Sequence, residues 1–158
     1  MDDTIAKLEK VIPLKELQAL QNIVIFREED GTYNVYNKYL IRKNTDGIYM
    51  LSIIGSHTEK NFFKLKNAVS WCSYDKRNLI KDARRLHELD QLIYGLETEI
   101  QIHSKLMRKT KEVDTKIICL SKLSQEKAKK RMFLYELERY IHDSTDWQNR
   151  MFDTKPKY

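Results

Sequence analysis

The sequence is poor in residues that break or cross-link a chain, with four Gly, two Pro and two Cys among 158 residues. So few Gly and Pro exclude collagen-like and linker-like chains and predict long uninterrupted elements. Cys72 and Cys119 stand alone without a C-x-x-C motif, so we expect each to be a small apolar core residue. A disulfide between them is not expected in a reducing compartment.

Long apolar runs are also missing. No stretch approaches the roughly 18 apolar residues of a membrane-spanning helix, and the mean hydropathy is -0.64. The N-terminus, residues 1–4, is acidic and has no apolar core of the kind that a secretory signal needs. We therefore expect a protein that stays in the cytosol and does not bind a membrane. Nine Tyr, five Phe and two Trp supply enough apolar area to argue against disorder.

The motifs of common enzymes are absent as well. The sequence has no G-x-S-x-G, no phosphate-binding Gly loop and no G-x-G-x-x-G. His87 and Glu88 begin a motif like that of a zinc-protease helix, but Gln91 stands where the second His is required. The four histidines share no ligand spacing; they are His57, His87, His103 and His142. We therefore predict a non-enzymatic protein with no catalytic residues, no bound metal and no cofactor.

Residues 22–63 predict a small antiparallel sheet of three or four strands. The strand-like segments are rich in β-branched and aromatic residues and lie at residues 23–26, 32–41, 48–54 and, least regularly, 62–63. Asp46 and Gly47 form a strong hairpin signal between the second and third segments. The apolar residues of the second segment have one parity and are predicted to share one sheet face; they are Tyr33, Val35, Tyr39 and Ile41.

Helices are predicted on both sides of this sheet in the sequence. Residues 4–21 predict two short helices divided by Pro13. A longer helix is predicted to begin near Leu65, where Ala68 and Cys72 lie four residues apart. Trp71 is near the same face, so we interpret it as a core residue rather than as a ligand-stacking residue. This helix is expected to cover one face of the sheet, because such a small sheet is not stable alone.

Beyond Asp75 a seven-residue period predicts two coiled-coil-like helices. The first ladder has Leu79, Leu86, Ile93, Ile100 and Met107 at a positions and Leu89, Leu96 and His103 at d positions. The second has Val113, Leu120, Lys127, Leu134 and Ile141 at a positions and Leu123 and Leu137 at d positions. A polar stretch at residues 110–115 separates them without a Gly or Pro.

Two similar ladders with a short connection favour an antiparallel helical hairpin. One continuous helix of some 65 residues is the main alternative. The predicted fold class is therefore α+β, in which a small antiparallel sheet with a covering helix is followed by a long helical hairpin. The predicted domains are a small α+β domain at residues 1–75 and the hairpin at 76–146, followed by a tail at 147–158.

The positive charge is concentrated in one part of the chain. The net charge is +6, and residues 105–131 alone carry ten positive charges against three negative ones. These ten side chains form the predicted binding site, an electrostatic tip at the end of the hairpin: Lys105, Arg108, Lys109, Lys111, Lys116, Lys122, Lys127, Lys129, Lys130 and Arg131. The alternative is a solvated helix surface that needs no partner.

Lys127 and Lys130 are unusual because the predicted heptads place them at a and d. A polar residue there weakens pairing but fixes register. The mismatch with Ile93 and Leu96 on the first helix predicts incompletely buried apolar side chains. Such leftover apolar surface is a candidate contact site for a partner.

Several stretches together resemble small uncharacterised proteins of marine tailed bacteriophages, including cyanophages. The similar stretches are residues 31–39 (GTYNVYNKY), 65–72 (LKNAVSWC), 88–90 (ELD), 140–141 (YI) and 147–148 (WQ). The resemblance implies a viral origin, and it implies no activity and no site residues. A second similarity is to three-strand-plus-helix DNA-binding modules of the AP2 and integrase type. The Arg-rich strand face of those modules is missing here, where Arg42 and Lys43 are the main basic residues of the strand region.

The leading functional prediction is a non-enzymatic protein–protein interaction component, a structural or assembly protein of a phage. Its expected partners are virion subunits or copies of itself, in the host cytoplasm or within the virion. The alternative is a nucleic-acid-binding protein that uses the basic tip, with Tyr side chains as stacking groups. No small-molecule substrate is expected. The salt dependence of binding distinguishes the two predicted functions, because phosphate binding weakens steeply with salt and an apolar contact does not.

Overall fold

The computed structural model describes residues 25–151 and has an α+β fold, as predicted. The strands are β1 (Ile25–Arg27), β2 (Tyr33–Val35), β3 (Tyr39–Lys43), β4 (Tyr49–Ile53) and β5 (Glu59–Phe62). The helices are α1 (Leu65–Lys76), α2 (Ile80–Lys109) and α3 (Val113–Met151). The predicted N-terminal helices at residues 4–21 lie outside the described residues.

The sheet is an antiparallel meander in the order β1-β2-β3-β4-β5. It has five strands rather than three or four, because a tight turn divides the segment predicted as one strand at 32–41. Tyr36 and Asn37 both have φ of 56° at this turn, as the two central residues of a type I′ turn require. The amide of Lys38 donates a hydrogen bond of 3.1 Å to the carbonyl of Val35.

One face of the sheet and α1 form the core, as predicted. Val35 pairs with Tyr39 across the turn, so the alternation of side chains continues from β2 into β3. From β2 to β5, the strand side chains that are wholly buried are Val35, Tyr39, Ile41, Leu51 and Phe62. Helix α1 covers them with Ala68, Trp71 and Cys72. Trp71 is therefore a core residue whose ring packs edge-on against Tyr39.

The hairpin prediction is confirmed, and the single long helix is wrong. Helix α2 has 30 residues and α3 has 39, which correspond to about 45 Å and about 58 Å. Thr110 ends α2 by adopting extended backbone angles, and its hydroxyl accepts a 3.3 Å hydrogen bond from the amide of Glu112. The Glu112 carboxylate then accepts a hydrogen bond from Thr115. Hydroxyl and carboxylate groups thus reverse the chain where no Gly or Pro is present.

The base of the hairpin belongs to the same core as the sheet. Leu86, Leu89 and Ile93 of α2 and Leu137 of α3 are buried in one cluster with the sheet residues. Asp90 of α2 is buried and accepts hydrogen bonds from the amide of Phe63 at 3.0 Å and from the side chain of Asn67 at 2.8 Å. The carboxylate therefore ties α2 to the connection between β5 and α1.

Helix α3 continues five residues into the segment predicted as a tail. Trp147 is half-buried and packs against the core. Its ring lies 4.8 Å from the Arg77 guanidinium and edge-on to Tyr36. Aromatic and cation–π contacts hold this end of α3 against α1 and the sheet. Residues 152–158 lie outside the described residues.

The seam between α2 and α3 differs from the prediction on the α3 side. The α2 ladder is buried or half-buried from Leu86 to Met107, while Leu79 is exposed just before the helix. On α3 the residues that face α2 are Cys119, Leu123, Glu126, Lys130, Phe133 and Leu137. The predicted a positions Val113, Leu120 and Lys127 are exposed, because the a series of the seam lies one residue earlier. Cys119 is buried in the seam as a free thiol, and Cys72 is a free thiol in the core.

Candidate interaction surface on the helical hairpin

The half of the hairpin that projects away from the sheet has a partly polar seam. We call residues 97–131 the distal half. Within it Nδ1 of His103 lies 2.5 Å from Oε1 of Glu126, and Nζ of Lys130 lies 3.5 Å from Oε1 of Glu97. At the base of the hairpin, by contrast, apolar residues fill the seam. Polar pairs hold the helices in register here at some cost in pairing strength.

Apolar side chains that would strengthen the seam point outward instead. The large aliphatic residues of the distal half that are exposed are Ile102, Leu106, Val113, Ile117, Ile118 and Leu120. Single exposed apolar residues are common, but a dense group on one element marks an interaction surface. The prediction placed incompletely buried apolar side chains at Ile93 and Leu96. Ile93 is in fact buried and Leu96 is half-buried, so the exposed apolar residues lie at other positions of the hairpin than predicted.

Two stripes of side chains, one on α2 and one on α3, run along the same side of the hairpin. On α2, Leu92, Gly95, Glu99, Ile102 and Leu106 follow one another at heptad spacing. On α3, Ile118, Gln125 and Met132 are seven residues apart. Ile102, Ile118 and Met132 are 57%, 56% and 71% exposed. Spacing of this kind places each set on one helix face.

A groove between α2 and α3 joins the two stripes. It has a volume of about 400 Å³, and Glu99 of the α2 stripe and Gln125 of the α3 stripe both line it. Leu96, His103 and Glu126 form its inner part, and Lys122 and Lys129 stand along the α3 side. We call this side of the hairpin, with its two stripes and the groove, the groove face.

The ten basic side chains of the predicted tip do not gather at one end. Lys105, Arg108, Lys109, Lys111 and Lys116 lie near the turn. Lys130 stands 17 residues beyond Val113, about 26 Å along the axis, and Lys127, Lys129 and Arg131 are next to it. Lys122 lies between the two groups. The distal half carries ten basic and five acidic side chains, a net charge of +5.

Lys127 and Lys130 have different environments, although both were predicted in the seam. Lys127 is exposed outside the seam. Lys130 is half-buried within it and pairs with Glu97. The heptad pattern did not predict Glu126 as a seam residue. A buried carboxylate is not expected at a seam position unless a partner such as His103 faces it.

A cleft of about 570 Å³ lies at the base of the hairpin beside Leu79, Asp82 and Arg139. Its walls are held by contacts within the chain. The Tyr74 hydroxyl donates to the carbonyl of Tyr140 at 2.6 Å, and burial together with the charge of Asp143 raises the pKa of Tyr74. The polar side chains of the cleft therefore serve to join α1 to α3.

The motif that resembles the start of a zinc-protease helix has a structural role. Nε2 of His87 lies 2.9 Å from the carbonyl oxygen of Asn61, and Gln91 donates to the same oxygen at 3.0 Å. Both side chains thus occupy the outer edge of β5, which would otherwise offer a free carbonyl for strand pairing. Across residues 25–151, no group of three or more His, Cys, Asp and Glu side chains is placed to hold a metal ion.

The same described part of the chain contains no helix that is both long and apolar enough to cross a membrane. Comparison of the whole chain with protein-family models, curated proteins and solved structures gives no match.

Proposed function

We propose that this protein is a non-enzymatic interaction component whose groove face binds an amphipathic helix of another protein chain. The observation that carries the proposal is the exposure of Leu92, Ile102, Leu106, Ile118 and Met132 in two stripes beside a groove. A helix laid against two others buries such stripes by heptad packing. The apolar area removed from water would supply the main driving force.

The charge of the distal half favours an acidic partner. Its net charge is +5, so two distal halves repel one another, and the rest of the chain carries a net charge of only +1. Self-association therefore lacks charge complementarity. An acidic helix is attracted to Lys122 and Lys129 at the groove and to the lysines near the turn, which raises the rate of encounter.

A nucleic acid is a weaker match to the groove face. Phosphate-binding surfaces are polar and basic, whereas this face combines two lysines with two carboxylates, Glu99 and Glu126, and with stripes of aliphatic side chains. In keeping with the resemblance to phage proteins, we propose that the acidic partner is a virion or assembly protein, met in the host cytoplasm or in the assembled particle. Protein binding is therefore the favoured reading of the basic residues, and nucleic-acid binding is an outcome of the test below.

The test measures binding of three fluorescent probes to the full chain by anisotropy. The first is an acidic peptide of about 28 residues with Leu at the a and d positions of four heptads. The second has the same composition without the heptad period, and the third is a DNA duplex of about 20 base pairs. We expect only the periodic peptide to bind, with affinity that survives moderate salt. Equal binding of both peptides, or binding of DNA alone, would overturn the proposal.

Matched variants locate the contact. The double variant Ile102→Ser, Ile118→Ser is expected to lose about tenfold or more in affinity for the periodic peptide. The control Val113→Ser, Ile117→Ser removes two equally exposed residues that lie off the two stripes and is expected to bind like the parent protein. Loss of affinity only in the control would place the contact elsewhere on the hairpin.

Charge reversal tests the proposal that the partner is acidic. Lys109, Lys111 and Lys116 lie near the turn, and changing all three to Glu is expected to weaken peptide binding and to reduce its salt dependence. The matched control changes Arg42, Lys81 and Arg84 to Glu; all three are exposed and lie outside the distal half. An equal loss in both variants would show that only the net charge of the whole chain matters.

A further inference from the structure

The inner part of the groove contains a buried carboxylate oxygen that has no hydrogen-bond donor among the described residues. Glu126 is only 7% exposed. Its Oε1 lies 2.5 Å from Nδ1 of His103, whereas its Oε2 is buried and accepts no hydrogen bond from the described residues. A buried carboxylate oxygen without a donor is costly, so this oxygen is suited to a donor that enters the groove.

The charges around Glu126 indicate which kind of donor group would enter the groove. Glu99 adds a second carboxylate on the α2 side of the groove, while Lys122 and Lys129 are seven residues apart on the α3 side. A cationic donor in the middle of the groove is attracted to the two carboxylates. Acidic side chains about one helical turn before and after this donor would face the two lysines.

Gly95 gives independent support for close approach of a partner at this place. It is exposed in the interior of α2, and an added Cβ would meet no atom within 4 Å. The internal packing of the chain therefore does not require a glycine, although glycine weakens a helix relative to alanine. Gly95 belongs to the α2 stripe and precedes Glu99 by one turn, so the missing side chain opens the surface next to the groove.

We infer that the bound helix crosses α2 at Gly95 and inserts one Arg or Lys side chain into the groove, where it donates a hydrogen bond to Oε2 of Glu126. This inference rests on the proposed function and adds the register and a sequence feature of the partner. The partner is an acidic amphipathic helix with a single basic residue on its apolar face, flanked by acidic residues one turn away. A polar contact of this kind selects one alignment out of several that apolar packing alone would permit.

The first experiment compares two versions of the periodic acidic peptide, one with Arg and one with Leu at a single central position. We expect the Arg peptide to bind about tenfold more tightly, and we expect the advantage to disappear in the Glu126→Gln variant. If both peptides bind equally well, the inference is wrong and the proposed function stands. If neither peptide binds, the proposed function itself is wrong.

The second experiment uses surface variants that do not depend on the fold tolerating a change at Glu126. Gly95→Leu is expected to keep or raise the melting temperature, because leucine is the better helix former, and to weaken binding of the Arg peptide about tenfold. Gln101→Leu places the same leucine side chain at an exposed position of α2 off the stripe and is expected to bind like the parent protein. Unchanged binding by Gly95→Leu would overturn the inference.

Discussion

Nδ1 of His103 on α2 and Oε1 of Glu126 on α3 lie 2.5 Å apart across the seam of the hairpin. This contact fixes which face of α3 is turned toward α2. With Glu126 inside, Leu123 is buried and Leu120 is exposed. The same arrangement leaves Ile118 and Met132 on the surface, and from that exposure we derived the proposed binding face.

The position of the seam predicts opposite results for two neighbouring leucines. Leu123 is 5% exposed and Leu120 is 54% exposed. Leu123→Ala is expected to lower the free energy of unfolding by about 2–3 kcal/mol, because it leaves a cavity between the helices. Leu120→Ala is expected to cost less than about 0.5 kcal/mol. Urea unfolding followed by circular dichroism measures both, and a larger loss for Leu120→Ala would contradict the seam described here.

Reversal of charge separates the two lysines that the heptads placed together. Lys130→Glu puts a second carboxylate next to Glu97 and is expected to cost about 0.5–1 kcal/mol, since the pair is only partly exposed. Lys127→Glu, at an exposed position, is expected to be nearly neutral. The exchange Glu97→Lys, Lys130→Glu should restore most of the loss. Thermal unfolding of the four proteins tests this, and a double variant no better than Lys130→Glu would show that the contact is not formed.

The stability is expected to fall in strong alkali because of Tyr39. Burial and the hydrogen bond to Asp75 raise the pKa of the Tyr39 hydroxyl above its ordinary value of 10. The folded chain therefore keeps this proton while the unfolded chain loses it, and stability decreases as the pH rises above about 10.

Tyr39→Phe removes both the hydrogen bond and the titration. We expect the variant to be less stable by about 1 kcal/mol near neutral pH, and we expect the difference from the parent protein to shrink as the pH rises above about 10. Tyr135→Phe, at an exposed ring, is the control. Urea unfolding at several pH values measures the effect, and a constant difference across the range would contradict it.

The acid limb of the stability curve is expected to depend on Glu136. Two hydrogen bonds from the Arg85 guanidinium, at 2.6 and 3.0 Å, hold the pKa of Glu136 below its ordinary value of 4.5. Because the pKa is lowered by folding, the ionised Glu136 stabilises the folded chain at pH values above the ordinary pKa of 4.5. This contribution is lost as the pH falls through the lowered pKa.

Glu136→Gln is therefore expected to be less stable near neutral pH by about 0.5–1 kcal/mol and to approach the parent protein in acid. Glu138→Gln changes an exposed carboxylate two residues away and should have little effect. Unfolding of the three proteins between neutral and acid pH checks the sign. A difference between Glu136→Gln and the parent that grows in acid would show that Arg85 does not lower the pKa.

Local patterns in the sequence predicted most of the strands and the three described helices. The alternation of Val35, Tyr39 and Ile41 predicted the buried sheet face, since strand side chains alternate whatever the strand packs against. The seven-residue period of α2 placed Leu86, Leu89 and Ile93 inside for a similar reason, because one apolar stripe dominates that helix. The extra strand was missed, because Tyr36 is not a residue expected at positive φ.

Helix α3 shows what the sequence left undecided. Its apolar residues form two overlapping ladders, one through Leu120 and Leu134 and one through Cys119, Leu123 and Leu137, and helical periodicity favours neither strongly. Only packing against α2 selects between them, because it brings Glu126 against His103 and Lys130 against Glu97. The groove and the unpaired oxygen of Glu126 follow from that choice. The sequence thus favoured the hairpin over one long helix, and tertiary contacts between side chains far apart in the chain decided which of its faces stays open.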